Sequence, residues 1–158
     1  MVRMSPEEIA YIKKQKVARL TTISKKGIPH AVPVCYAFDG KMFYTGAARE
    51  SKKGRNLIEN KNVCLIIDNY YDDDWSILDG VLIQGNGEFL DEGRANVGRR
   101  LLTERYVQYQ TYLPLTTNPI IGVKPLNVVS WGLSNEQKKA QKIVKRSVIH
   151  PEEVLGEV

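Results

Sequence analysis

The chain has 158 residues, 42% hydrophobic and 26% charged, with a formal net charge of +5. A chain of that size and apolar content can bury the core of one domain spanning residues 1–158, and no apolar run approaches the ~20 residues of a membrane span. The first residues, MVRMSPEEIAYIKKQ, lack the apolar core of a signal peptide, so a cytoplasmic location is expected.

Ser5-Pro6-Glu7-Glu8 opens a helix over about 5–14: Ser5 caps, Pro6 suits the first helical position and Glu8 completes a capping box. Val17 to Ser24 is rich in β-branched residues and reads as a strand. Lys25-Lys26-Gly27 is a turn, and Ile28 to Phe38 is a second strand whose Pro29 and Pro33 give it edge or irregular character. Asp39-Gly40 is a hairpin signal before a third strand, Lys41 to Thr45. A basic helix, about Ser51 to Glu59, leads to a strand from Val63 to Asp68 and a loop from Asn69 to Ser76. Ile77 to Leu90 is a long strand in which Gly80, Gly85 and Gly87 signal bulges or bends of a curling sheet. A helix from Asp91 to about Arg105 follows, then an irregular stretch over 106–117. Asn118 to Trp131 is a last strand region broken near Lys124-Pro125. From Ser134 to about 148, Ala140, Ile143, Val144 and Ser147/Val148 fall on one stripe, which predicts a C-terminal helix. Six strands with bend glycines, short links and peripheral helices predict a mainly β chain folded as a closed antiparallel barrel rather than a parallel sheet.

The basic helix is the most informative segment. Lys52, Lys53 and Arg55 crowd its first turn, where the helix dipole and unpaired backbone amides favour anions. Cations in that position suit a bound anion, and Ser51 adds an N-cap hydroxyl beside the same amides. A phosphate fits best, held by helix amides and by Lys and Arg side chains; a solvated basic face, with Leu57 and Ile58 packing inward, is the alternative.

Other features carry less chemistry. Cys35 and Cys64 lie in apolar runs and read as buried thiols, and two cysteines with two histidines fit no standard zinc spacing, so no metal is expected. Asp72-Asp73-Asp74 lacks the glycine turn and closing Glu of a calcium loop and reads as a solvated acidic loop around Trp75, which could cover the barrel end. Excess charge gathers at Lys138, Lys139, Lys142, Lys145 and Arg146. Nucleic-acid binding would need exposed aromatics between cations on one face, whereas the aromatics lie mainly in apolar strands or the Asp-rich loop. No hydrolytic triad, P-loop or G-x-G-x-x-G motif occurs, which suits chemistry carried by a bound cofactor.

The run GIPHAVPVCYAFDGKMFYTG followed by SKKGRNLIENKNVCLIID resembles the pyridoxamine 5'-phosphate oxidase-like FMN-binding split barrels. NYYDDDWS and the late NVVSWG are similar to a subgroup that includes deazaflavin-dependent proteins. The resemblance, from about Ala18 to Gly132, implies a six-stranded split β-barrel, a homodimer, and FMN or a deazaflavin analogue in a groove at the dimer interface. It implies that Ser51, Lys52, Lys53 and Arg55 bind the cofactor phosphate. It further implies that His30, Ala31, Val32, Pro33 and Val34 run beside the ring and ribityl chain, and that Tyr44 and Thr45 lie near the cofactor. Trp131 would reach the partner's flavin or serve as an interface aromatic. The activity implied is hydride transfer to or from a small substrate or electron donor. A non-catalytic flavin carrier is the alternative. The segment after Trp131 does not match the substrate-binding ending of the true oxidases.

Overall fold

The computed structural model describes residues 2–74, 77–134 and 143–147. Eight strand segments form one antiparallel sheet: β1 (Val17–Ile23), β2 (Pro29–Cys35), β3 (Ala37–Phe38), β4 (Phe43–Gly46), β5 (Asn62–Asn69), β6 (Asp79–Phe89), β7 (Ile120–Trp131) and β8 (Ile143–Ser147). Among the described residues four helices accompany them: α1 (Pro6–Lys14), α2 (Lys52–Glu59), α3 (Glu92–Arg105) and α4 (Val107–Thr111).

The neighbour order is β2-β1-β5-β6-β7-β4-β3, with β8 on β7. Tyr36 alone separates β2 from β3, so the two ends of that order are one bent strand. Counted that way, β1, β2/β3, β4, β5, β6, β7 and β8 are seven strands of a curled split barrel, one more than the six expected. At the seam between β2 and β4 the contact is a side-chain one, Thr45 Oγ1 donating to Cys35 O at 2.8 Å.

Period-2 alternation puts Ala18, Leu20 and Thr22 of β1 inside with Val63, Leu65 and Ile67 of β5 and Val81 and Ile83 of β6. Each fully buried aliphatic side chain contributes about 1.5–3 kcal/mol. α1 closes one end. Ser5 and Glu8 form the expected capping box, and Glu8, 1% exposed, also accepts from Ser130 Oγ at 2.8 Å, which pins the helix to β7. A second apolar cluster lies where α3 packs over β3, β4 and β7, with Ala37, Tyr44, Leu102, Tyr106 and Ile120.

A buried polar bracket joins these parts. Tyr106 Oη lies 2.7 Å from Lys16 O and 2.8 Å from Tyr36 O, and accepts from Tyr36 N at 3.0 Å. Tyr36 Oη donates to Ile12 O at 2.6 Å. The Arg105 guanidinium donates to Lys13 O at 2.8 Å and to Gln15 O, capping the last carbonyls of α1.

Several expectations change. The predicted strand 28–38 bends at Tyr36 into β2 and β3. β7 is not broken at Lys124-Pro125: it runs through, because the β6–β7 register shifts between Gln84 and Gly85, a bulge where a proline without an N–H is tolerated. Gly85 marks that bulge, but Gly80 and Gly87 serve close packing, against the Trp131 ring and Leu57 respectively. The irregular stretch contains α4, a single short helix. The C-terminal helix over 134–148 is overturned at 143–147, which form β8 along the β7 edge; the β-branched Ile143-Val144 suits a strand there. Residues 135–142, including Lys138, Lys139 and Lys142, and Trp75 lie outside the described residues.

Candidate functional site

β4 delivers the chain through residues 47–51 to α2. Ser51 is the N-cap, its Oγ accepting from Gly54 N at 3.2 Å and donating to Ala48 O at 2.6 Å. A Cβ on Gly54 would stand 2.5 Å from Ala48 O and from Arg49 O, so only glycine lets the helix start press this closely on its own entry loop. Arg55 N bonds to Ser51 O, which leaves the Lys52 and Lys53 amides without a backbone partner among the described residues. The first turn contains no acidic residue.

Four cations surround this end, in two kinds. The Arg49 guanidinium stacks 4.4 Å from the Phe89 ring centroid, and Arg55 Nη1 folds back onto Glu50 O. Lys52 is exposed and Lys53 half-buried, and among the described residues neither forms an ion pair. Two heads are therefore held by the fold, while two lysines and two amides at the helix start have no partner among the described residues. Free amides and cations at a helix start have the chemistry that suits an anion.

The helix is seated by Leu57, 3% exposed, and by Asn56, whose Nδ2 donates to Thr22 Oγ1 at 3.1 Å. Thr22 is the register partner of His30. The start of β2 and α2 are thus linked through β1. β2 pairs along one edge only, as its two prolines predict. Ala31 and Pro33 are exposed, His30 and Val32 half-buried, and Val34 buried.

The remaining candidates sit elsewhere. Tyr44 is 6% exposed, with its phenol donating to Asp39 Oδ2 at 2.8 Å; burial and that bond push it up to about 12. Thr45 is spent on the seam bond to Cys35 O. Both side chains belong to the barrel wall. Trp131 pairs with Gly80, whereas α2 meets β6 at Gly87; seven residues of strand separate them, about 23 Å. Within one chain Trp131 cannot reach the α2 site. It lies instead on the outer face of the sheet, where Ile66, Leu82 and Val129 stand in register and half-buried. Sequence reasoning missed Arg49, Thr22 and Asn56. A polar residue at an inward position of an amphipathic helix was the available signal for Asn56.

Residues 4–131 match the pyridoxamine 5'-phosphate oxidase family. The chain belongs to that family. It is 30% identical over 134 residues to a 5a,11a-dehydrotetracycline/5a,11a-dehydrooxytetracycline reductase of Streptomyces rimosus, covering 82% of this chain and 84% of the reductase. Solved family-fold structures superpose well. A conserved hypothetical protein from Mycobacterium tuberculosis has a TM-score of 0.71 at 22% identity, with 96% of each chain covered. A heme binding protein from Mycobacterium smegmatis has a TM-score of 0.73 at 18% identity, covering 93% of this chain and 60% of that one. Structural likeness at this identity establishes the split-barrel fold of the oxidase family and no more. No described helix is long and apolar enough to cross a membrane.

Proposed function

We propose that this family member is a flavin-dependent oxidoreductase that binds FMN, or its 5-deaza analogue, between two copies of the chain and passes hydride to or from a small substrate. The observation that carries the reading is the start of α2, with two amides and two lysines that have no partner among the described residues and no acid in the first turn, on a helix tied to β1, the strand that pairs with β2. A phosphorylated cofactor with a flat ring suits this combination of a compact anion cradle and an open strand edge. The reductase relative supports the reaction class.

In this reading Ser51, Lys52 and Lys53 hold the phosphate, with Arg55 and Arg49 adding field from fixed positions. His30 to Val34 run along the ring, and Tyr44 and Thr45 keep the wall behind it rigid rather than touching it. The apolar outer face joins two copies, and Trp131 of the second copy covers the ring. When bound, the flavin supplies the hydride chemistry; the chain supplies placement and excludes water.

Visible absorption after mixing the purified protein with FMN or the deazaflavin tests the reading. A perturbed two-band spectrum with FMN identifies a flavoprotein, and uptake of the deazaflavin alone assigns the analogue. Binding of neither refutes the proposal. Turnover with a reductant and an acceptor then separates an oxidoreductase from a carrier with the same site.

A further inference from the structure

Asn56 is 2% exposed and Thr22 is 1% exposed, and their side chains bond to each other, with the apolar Leu20, Leu57 and Val63 also buried on β1, α2 and β5. Burying two polar groups is costly unless they pair, and asparagine is a mediocre helix former. A leucine at 56 beside Leu57 and a valine at 22 above Leu20 would fill the space without that cost. What an apolar pair cannot supply is direction. Apolar contact is non-directional and lets a helix slide or rotate by fractions of an ångström, whereas an N–H···O bond weakens steeply off its axis.

Both ends of this bond matter. Asn56 lies one turn past the phosphate-facing residues of α2, whose start is already clamped by Gly54 against the carbonyls of Ala48 and Arg49. Thr22 lies opposite His30, the first residue of the ring-lining stretch of β2. The bond therefore sets the distance and rotation between the element that holds the phosphate and the strand that holds the ring.

We infer that Asn56 is a positioning residue, which through Thr22 fixes the spacing between the phosphate cradle and the ring-lining strand. The inference rests on the flavin reading above. Riboflavin, which has the ring without the phosphate, does not sense that spacing, so the ratio of FMN to riboflavin affinity reports it.

The experiment measures both affinities by flavin fluorescence, with thermal midpoints, in Asn56→Leu, Thr22→Val and the double variant. Each single variant leaves one buried polar group unpaired and lowers the midpoint, while the double variant, with both polar groups gone, regains it. The expected result is that the FMN-to-riboflavin ratio stays about tenfold low in the double variant although its stability has returned. A ratio that recovers with stability overturns the positioning role and leaves a packing role. If the double variant does not fold, Thr22→Ser and Thr22→Val replace it: Ser, which keeps the hydroxyl, retains the ratio and Val loses it, and equal ratios overturn the inference. Absence of flavin uptake by the unmodified protein refutes the functional reading itself. FMN uptake with an unmoved ratio refutes the inference alone.

Discussion

The Lys52→Ala/Lys53→Ala variant should move stability and affinity in opposite directions. Both lysines stand in the first turn of α2, where no acidic residue offsets them. A cation near a helix N-terminus opposes the dipole by about 0.3–1 kcal/mol. Removing two should raise the stability of the ligand-free protein by about 1 kcal/mol, or roughly 2–4 °C in Tm for a chain of this length. Toward a bound phosphate the sign reverses. Lys53 is half-buried, and a charge-assisted contact in that setting contributes about 1.5 kcal/mol. Lys52 is exposed, and solvent screening reduces its share to about 1 kcal/mol. The expected loss of about 2.5 kcal/mol is roughly seventyfold in the Kd for FMN, with a weaker dependence on salt than in the parent protein. Scanning fluorimetry without ligand and FMN titration at two ionic strengths read both effects. An FMN affinity within threefold of the parent refutes the phosphate cradle. A Tm that falls together with affinity refutes the electrostatic account, because it would mean that the lysines stabilise the fold.

Three further perturbations test other parts. Tyr106→Phe removes the hydroxyl shared by Tyr36 and Lys16 and should cost about 2 kcal/mol in urea unfolding; a loss under about 0.5 kcal/mol would show the bracket to be dispensable. Because the Tyr44 phenol is raised to about 12, its contribution is complete below the unfolded value near 10 and disappears as pH rises through about 12. Tyr44→Phe should accordingly flatten the stability profile between those pH values, and an unchanged alkaline slope would contradict the burial. In sedimentation the protein should behave as a dimer, and Leu82→Glu on the outer face should yield a monomer that no longer takes up flavin. A flavin-loaded monomer would contradict a site shared between copies.

Local chemistry made much of the molecule legible from its sequence. The capping box at Ser5 and Glu8, the Asp39-Gly40 hairpin and the cation-rich start of α2 each depend on residues within a few positions of one another, so residue type and spacing suffice. The positions of most strands along the chain followed from β-branched runs for the same reason, though not their neighbour order in the sheet. Legibility ended where partners lie far apart in the chain. Ile143 and Val144 fit either a helical stripe or a strand, and the β7 edge, about a dozen residues upstream, decided for β8. Pro125 looked like a strand break until the register against Gly85 placed it at a bulge. Tyr44 and Thr45 looked available, yet one is turned to Asp39 and α3 and the other to Cys35. The anion-favouring end of α2 was determined by sequence alone, because a helix dipole and its neighbouring charges are local. Which lysines remain uncommitted, and that Asn56 ties this helix to Thr22, were decided by the tertiary structure, since burial and hydrogen-bond partners across thirty-four residues of sequence exist only once the barrel has closed.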